Sequence, residues 1–188
     1  MQNIVLDTNS LLMAISAKNI YHRVWLAFLR EEYILCITNE IIEEYLEVIS
    51  RNINPLVAEA IVSTILMRKN VLKLDPHFRF DLIEKDKDDN KFVDCAIAGN
   101  ASYIVTEDHH FNILKEIKFP SVSVIGIDDF LLLLDSFNNI ILNEPAIAYN
   151  SLPLQQLRIR LVETIGMENR VVKLQQCLDL LQSDDEAY

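Results

Sequence analysis

One stretch constrains this chain more than any other: Asp86-Lys-Asp-Asp-Asn-Lys-Phe-Val-Asp-Cys-Ala-Ile-Ala-Gly-Asn-Ala-Ser-Tyr-Ile-Val-Thr-Glu-Asp108. It reads as an acidic loop, a helix, a turn and a buried strand with a carboxylate just past its end. Asp88 or Asp89 is expected to cap the helix, and Gly99-Asn100 to close it in a left-handed turn. Phe92, Val93, Ala96 and Ile97 form its apolar stripe. Asp94 interrupts that stripe, where a charge costs free energy unless it is paired. Tyr103-Ile-Val-Thr106 is short and β-branched, as a buried strand should be. A carboxylate near a helix start and another at a strand end fall where open α/β sheets keep their pockets.

The rest of the chain repeats this alternation. Asn3 to Leu6 is an apolar run ended by Asp7, and Thr8-Asn9-Ser10 opens a helix through Leu11, Leu12 and Ile15. A second helix is expected over about 20–31, with Val24, Trp25, Phe28 and Leu29 inward. Tyr33 to Ile37 is a second strand, and Thr38 or Asn39 caps a helix over about 40–51. On its helical wheel Glu44 sits at the edge of the apolar arc, with Glu40 and Glu47 further round the same side. Position alone does not select among these three.

Pro55 to Met67 is a third helix with Pro in its first turn, and Val71 to Leu74 a short strand. Residues 75–88 form a charged loop. A short helix at Phe111–Ile117 stops before Pro120, Val122 to Ile125 is the last strand, and Asp128 is expected to cap a helix from Phe130 to Leu134. The order predicts a three-layer α/β/α fold with a mostly parallel sheet over residues 1–135. Beyond it, apolar residues at helical spacing on either side of Gly166 predict a helical hairpin over 143–182, followed by an acidic, disordered tail at 183–188. Those helices must bury their apolar faces against the core, a second subunit or a partner.

Composition limits the partners. With 188 residues, 51% of them hydrophobic, the chain can bury one sizeable core. No run approaches the roughly 18 apolar residues of a membrane span. Cys36, Cys95 and Cys177 are too scattered for a zinc site or a disulfide framework, which points to buried free thiols in a reducing cytoplasm. The net charge is −11, which by itself argues against nucleic acid. Neither part is a basic arm: residues 1–135 carry −8 and residues 136–188 carry −3. An acidic chain can still approach phosphates if it first collects cations.

Asp7, Glu44, Asp94 and Asp108 are the acids that could do so, since the ends of right-handed parallel elements face one sheet edge. Convergent carboxylates call for a hard divalent cation with oxygen ligands, Mg²⁺ or Mn²⁺. Any one of them alone is more simply a helix cap. Asp7-Thr-Asn9, Glu44-Tyr-Leu-Glu-Val-Ile-Ser-Arg51, Asp88-Asp-Asn-Lys-Phe-Val-Asp94-Cys-Ala and Tyr103-Ile-Val-Thr-Glu-Asp108, in that order over about residues 2–134, resemble the PIN-domain family, in its branch of VapC-like toxin components.

The resemblance implies a metal-dependent ribonuclease cleaving single-stranded RNA, held in check by an antitoxin protein and possible as a homodimer. It implies that Asp7, Glu44, Asp94 and Asp108 bind metal and catalyse, and it selects Glu44 over its neighbours. Thr8, Asn9, Asn90 and Thr106 would support the site by hydrogen bonds. Asp89 either reaches the metal through water or only caps its helix, and Arg51 either holds an RNA phosphate or is a solvated helix end. His109 and His110 are read as surface loop residues, because neutral imidazole suits softer metals than magnesium. A catalytically inactive PIN fold used for protein interaction is the competing function. A receiver or aspartyl-phosphate enzyme fits less well, since Asn9 stands where the second Asp would be and Gly126 where the late Lys would be.

Overall fold

A computed structural model of the chain describes residues 1–142. The expected hairpin over 143–182, the tail at 183–188 and Cys177 lie outside the described residues. Met1–Ile140 is one compact unit. Five strands, β1 (Asn3–Leu6), β2 (Ile34–Ile37), β3 (Val71–Lys73), β4 (Tyr103–Val105) and β5 (Val124–Ile125), form a single sheet in the order β3-β2-β1-β4-β5. Every pairing is parallel, with Ile4 opposite Leu35 on one side and Tyr103 on the other. Parallel sheets need both faces covered. The helices α1 (Thr8–Ile15), α2 (His22–Leu29), α3 (Asn39–Asn52), α4 (Pro55–Met67), α5 (Asn90–Ala98) and α6 (Ile127–Leu142) flank the sheet and cover those faces.

Local chemistry explains most boundaries. Thr38 caps α3 by accepting from the Ile41 N–H, and Asn54 caps α4 by accepting from the Val57 N–H, with Pro55 at the first position. Val24, Trp25, Phe28 and Leu29 of α2 are all buried. Trp25, Phe28, Tyr33 and Phe130 stack in a chain of ring contacts from 5.3 to 6.0 Å, which ties α2, β2 and α6 together. Cys36 and Cys95 are buried free thiols, both pushed up by burial.

Two expectations need correction. Neither Asp88 nor Asp89 caps α5 through its side chain. The backbone is already turning there, with Asp89 helical at φ −66° and the Asn90 N–H donating to Lys87 O. The turn leaves the Asp89 carboxylate available for other work. At the far end the expected left-handed close at Gly99-Asn100 does form, with Asn100 at φ 45° and Gly99 at an ordinary negative φ. Finally, α6 begins at Ile127 rather than Phe130, and Asp128 lies inside its first turn and accepts from the Tyr21 hydroxyl. Glu107 supplies the acceptor there, taking the Ile127 N–H at 2.6 Å.

Asn70, buried just before β3, donates to Phe28 O and Tyr33 O at 2.9 Å each. It closes α2 onto the start of β2 through a single amide. Asn70→Ala strands two buried carbonyls and is expected to cost about 2 kcal/mol, read as a lower urea midpoint with an unchanged slope.

Candidate active site

The strand order decides where a site can form. From β1 the chain moves outward through β2 to β3, then returns to the other side of β1 with β4 and β5. The order therefore reverses between β1 and β4, and the crevice beyond their carboxyl ends is where open α/β sheets bind ligands. Asp7 follows β1 and Asp108 follows β4, so both stand at that crevice.

Thr106 joins them. Its hydroxyl donates to Asp7 Oδ2 at 2.9 Å and its oxygen accepts from the Asp108 N–H at 2.9 Å. The Asp7 N–H in turn donates to Val105 O across the sheet at 3.0 Å. Burial pushes the Asp7 carboxyl up to about 6, opposed by the Thr106 hydrogen bond and reinforced by the charges of Glu44 and Asp108. Asp108 accepts the His110 N–H at 2.8 Å and so opens the 3₁₀ segment His109–Glu116. Glu44 is half-buried on α3. One of its oxygens accepts the Thr8 hydroxyl, and the other pairs with Lys91 Nζ at 2.5 Å.

The third carboxylate at the crevice is Asp89, not Asp94. Burial pushes Asp89 up to about 7, and Asp86, Asp108 and Asp7 add to that, with His110 acting against them. Five residues along a helix turn a side chain through about 140°, so Asp94 leaves the opposite side of α5. There its carboxylate accepts the Phe80 N–H at 3.0 Å and lies 3.7 Å from Arg79 Nη1. Burial raises its affinity for a proton, and the charges bearing most on it are Arg79, Asp81 and Glu40. Asp94 thus anchors the 75–83 loop, with Arg79 reaching across to chelate Glu40.

The supporting residues divide in the same way. Thr8 and Thr106 touch the acids directly. Asn90 works at one remove, exchanging two hydrogen bonds with the Ile83 backbone and donating to Lys87 O, which pins the loop that ends at Asp89. Asn9 is exposed in the first turn of α1. Arg51 lies at the last turn of α3, exposed and 4.0 Å from Glu47, well down the helix from Glu44. His110 departs furthest from its expected place. It turns inward, its Nδ1 lying 3.4 Å from Asp108 and 3.7 Å from Asp89. Lys91 was not singled out from the sequence, although its place two residues after Asp89 signals a cation beside the acids.

Whether this donor set suits a divalent cation can be asked of the polar atoms themselves. Asp89 Oδ2 and His110 Nδ1 are both buried and without a hydrogen-bond partner. Native proteins seldom leave such atoms unsatisfied, and a metal ion would satisfy both. Ligand atoms of Asp86, Asp89 and His110 lie within 4.8 Å of one another, as do those of Asp108, His109 and His110. The residues fit a divalent cation. An open cleft of about 590 Å³ adjoins Glu44 and Asp89, with Arg79, Lys87 and Lys91 on its walls.

A family model described as "PIN domain" matches residues 3–110, which include Asp7, Glu44, Asp89, Asp94 and Asp108. The chain belongs to the PIN-domain family. Two solved structures similar to it are VapBC2 from Rickettsia felis bound to a DNA fragment from its promoter, and DNA-bound VapBC from Salmonella typhimurium. The first is 18% identical with a TM-score of 0.48, over 66% of this chain and 98% of that one. The second is 20% identical with a TM-score of 0.48, over 68% and 99%. No curated protein matches the chain. Among the described residues no helix is long and apolar enough to cross a membrane.

The raised Asp7 has a consequence for this PIN domain's stability. The folded state holds a proton on Asp7 up to about pH 6, whereas the ordinary value is 3.8. Between those values the folded state binds more protons, so metal-free stability falls as pH rises, by up to about 3 kcal/mol from this group. Asp7→Asn removes the charge and keeps the acceptor for Thr106. In chelator, the variant is expected to match the wild type near pH 4 and to exceed it by on the order of 1 to 3 kcal/mol at pH 8. Urea melts at the two pH values check this.

Proposed function

We propose that the chain is a nuclease of the PIN family that uses Mg²⁺ or Mn²⁺ to cleave single-stranded RNA, acting in the cytoplasm as the toxin of a toxin–antitoxin pair. The observation that carries the reading is the meeting of Asp7, Asp89 and Asp108 at the strand-order reversal, with one Asp89 oxygen buried and unpartnered. A structural cap needs none of this. Carboxylates whose proton affinities are raised by burial, with the neighbouring acids adding to it, do not stabilise a fold. They make sense as ligands that a cation neutralises. The toxin assignment, its antitoxin and the choice of RNA extend from the ordered motifs shared with that branch of the family.

Asp7, Asp89 and Asp108 would hold the ion, with Glu44 beside them. When bound, such an ion supplies Lewis acidity toward a phosphodiester oxygen and makes water a better nucleophile. Thr106 fixes the aim of Asp7 and the backbone of Asp108, so these two ligands need not reorganise. Glu44, oriented by Thr8 and Lys91, is placed to accept a proton from an attacking water. Lys91 and Lys87, with Arg79 on the same cleft, are the cations that can meet RNA phosphates. Single strands suit this site because a stiff duplex would bring more phosphates against the acidic rim of Glu40, Glu43 and Glu47.

The test separates Asp89 from Asp94 on a single-stranded RNA. Asp89→Asn is expected to lower cleavage by about a hundredfold or more, at least the upper end of what disturbed metal shells cost. Asp94→Asn keeps its acceptor for the Phe80 N–H and is expected to stay within about tenfold of wild type. Equal loss in both variants would return Asp94 to the site. An inactive PIN fold predicts no cleavage by any of them.

The metal requirement is checked in the same assay. Excess chelator is expected to abolish cleavage, and added Mn²⁺ or Mg²⁺ to restore it. The same ions should raise the melting temperature of the wild type more than that of Asp7→Asn, by about 2.7 kcal/mol of stabilisation at a hundredfold excess over the dissociation constant. Cleavage that persists in chelator sinks the metal reading.

A further inference from the structure

His110 stands two residues beyond Asp108, and its own N–H donates to Asp108 Oδ1 at 2.8 Å, which fixes the backbone from which its ring projects. The ring Nδ1 then lies 3.4 Å from Asp108 Oδ1 and 3.7 Å from Asp89 Oδ2. Both distances are too long for an N–H···O hydrogen bond. A protonated imidazole would gain charge attraction there without making a bond, leaving two buried atoms unsatisfied. Both Nδ1 and Asp89 Oδ2 are indeed buried without partners. Two donors sharing one first-row ion, at bonds near 2.2 Å, stand about 3 to 4.4 Å apart. The separation of 3.7 Å falls inside that range. Asp86, Asp89 and His110 each offer a ligand atom within 4.8 Å of those of the other two. His109 shares its carboxylate neighbour but is 81% exposed, and its ring lies over that of His110 at 4.5 Å.

Resting on the metal-dependent reading above, we propose that His110 Nδ1 joins Asp89 and Asp108 as a nitrogen ligand, with Asp86 beside them, so that this chain takes a first-row transition ion such as Mn²⁺ in preference to Mg²⁺. The chemistry of the donor sets the preference. Magnesium takes oxygen ligands and gives up its waters reluctantly, whereas imidazole is a good ligand for the first-row transition ions. A neutral nitrogen also lowers the summed negative charge of the site, which a set of acids alone would leave high. Binding through Nδ1 leaves Nε2 to carry the proton, directed away from the carboxylates.

Electron spin-echo spectroscopy of the tag-free, full-length chain loaded with Mn²⁺ tests this, because a ligating nitrogen modulates the echo. The wild type is expected to show nitrogen coupling, and labelling its four histidines with ¹⁵N should change the pattern. The coupling should survive in His109→Asn and His77→Asn and vanish in His110→Asn. In titrations, His110→Asn is expected to weaken Mn²⁺ by about tenfold or more and Mg²⁺ by less than about threefold. Should His110→Asn fail to fold, the labelled wild type and His22→Asn, His77→Asn and His109→Asn still decide, since coupling that survives in all three leaves only His110. Mn²⁺ bound without nitrogen coupling overturns the inference and leaves the nuclease reading intact if cleavage still needs metal. A chain that binds neither ion overturns both.

Discussion

The site depends on one hydroxyl placed between two strands. Thr106 donates to Asp7 and accepts from the backbone of Asp108, so the carboxylates after β1 and β4 are set by a single side chain. It can do so because β1 and β4 are paired in parallel, with Leu6 opposite Val105, which brings their ends level at one edge of the sheet. Were β4 on the far side of β2, Asp7 and Asp108 would stand two strands apart, about 10 Å. The strand order is therefore the first condition for any chemistry here.

Crowding carboxylates has a cost that the surrounding residues offset only in part. Lys91 neutralises Glu44, and Thr8 holds the other oxygen of that carboxylate. Arg79 takes Glu40 and approaches Asp94, which is buried on the other side of α5. Among the described residues Asp7 and Asp89 have no Lys or Arg partner; burial raises their carboxyls, and the neighbouring acids add to it. The unpaired charge is concentrated where the strand order reverses. A stability argument gives no reason for that distribution, whereas a cation-binding argument requires it.

On the proposed nuclease reading, the same geometry would let an acidic protein approach RNA. Arg79, Lys87 and Lys91 share the cleft beside Glu44 and Asp89, although the chain as a whole carries −11. A few cations close to a metal can hold two or three phosphates without a basic face. Weak overall attraction would also leave binding dependent on the ion, which couples affinity to catalysis.

How much of this was legible in the sequence varies by element. The alternation of short β-branched runs with amphipathic helices was enough for a parallel α/β sheet, and Pro55 and Thr38 marked their helix starts, because those signals are local. Asp7, Asp108 and Thr106 were readable as well, since a residue just past a buried strand has only one edge to occupy. Asp89 and Asp94 were not separable from the motif alone. Both lie in the same acidic helix, and the choice depends on which side of α5 faces β1 and β4. The inward position of His110 was not legible for a similar reason: a His after an Asp is ordinary in a surface turn, and only the tertiary arrangement sets its ring beside Asp89 and Asp108. Sequence by itself determined the elements and the residues at their ends, through periodicity and capping that act within a few residues. Tertiary structure alone decided which carboxylates share a site, because that follows from strand order and helix rotation, which join residues about a hundred positions apart.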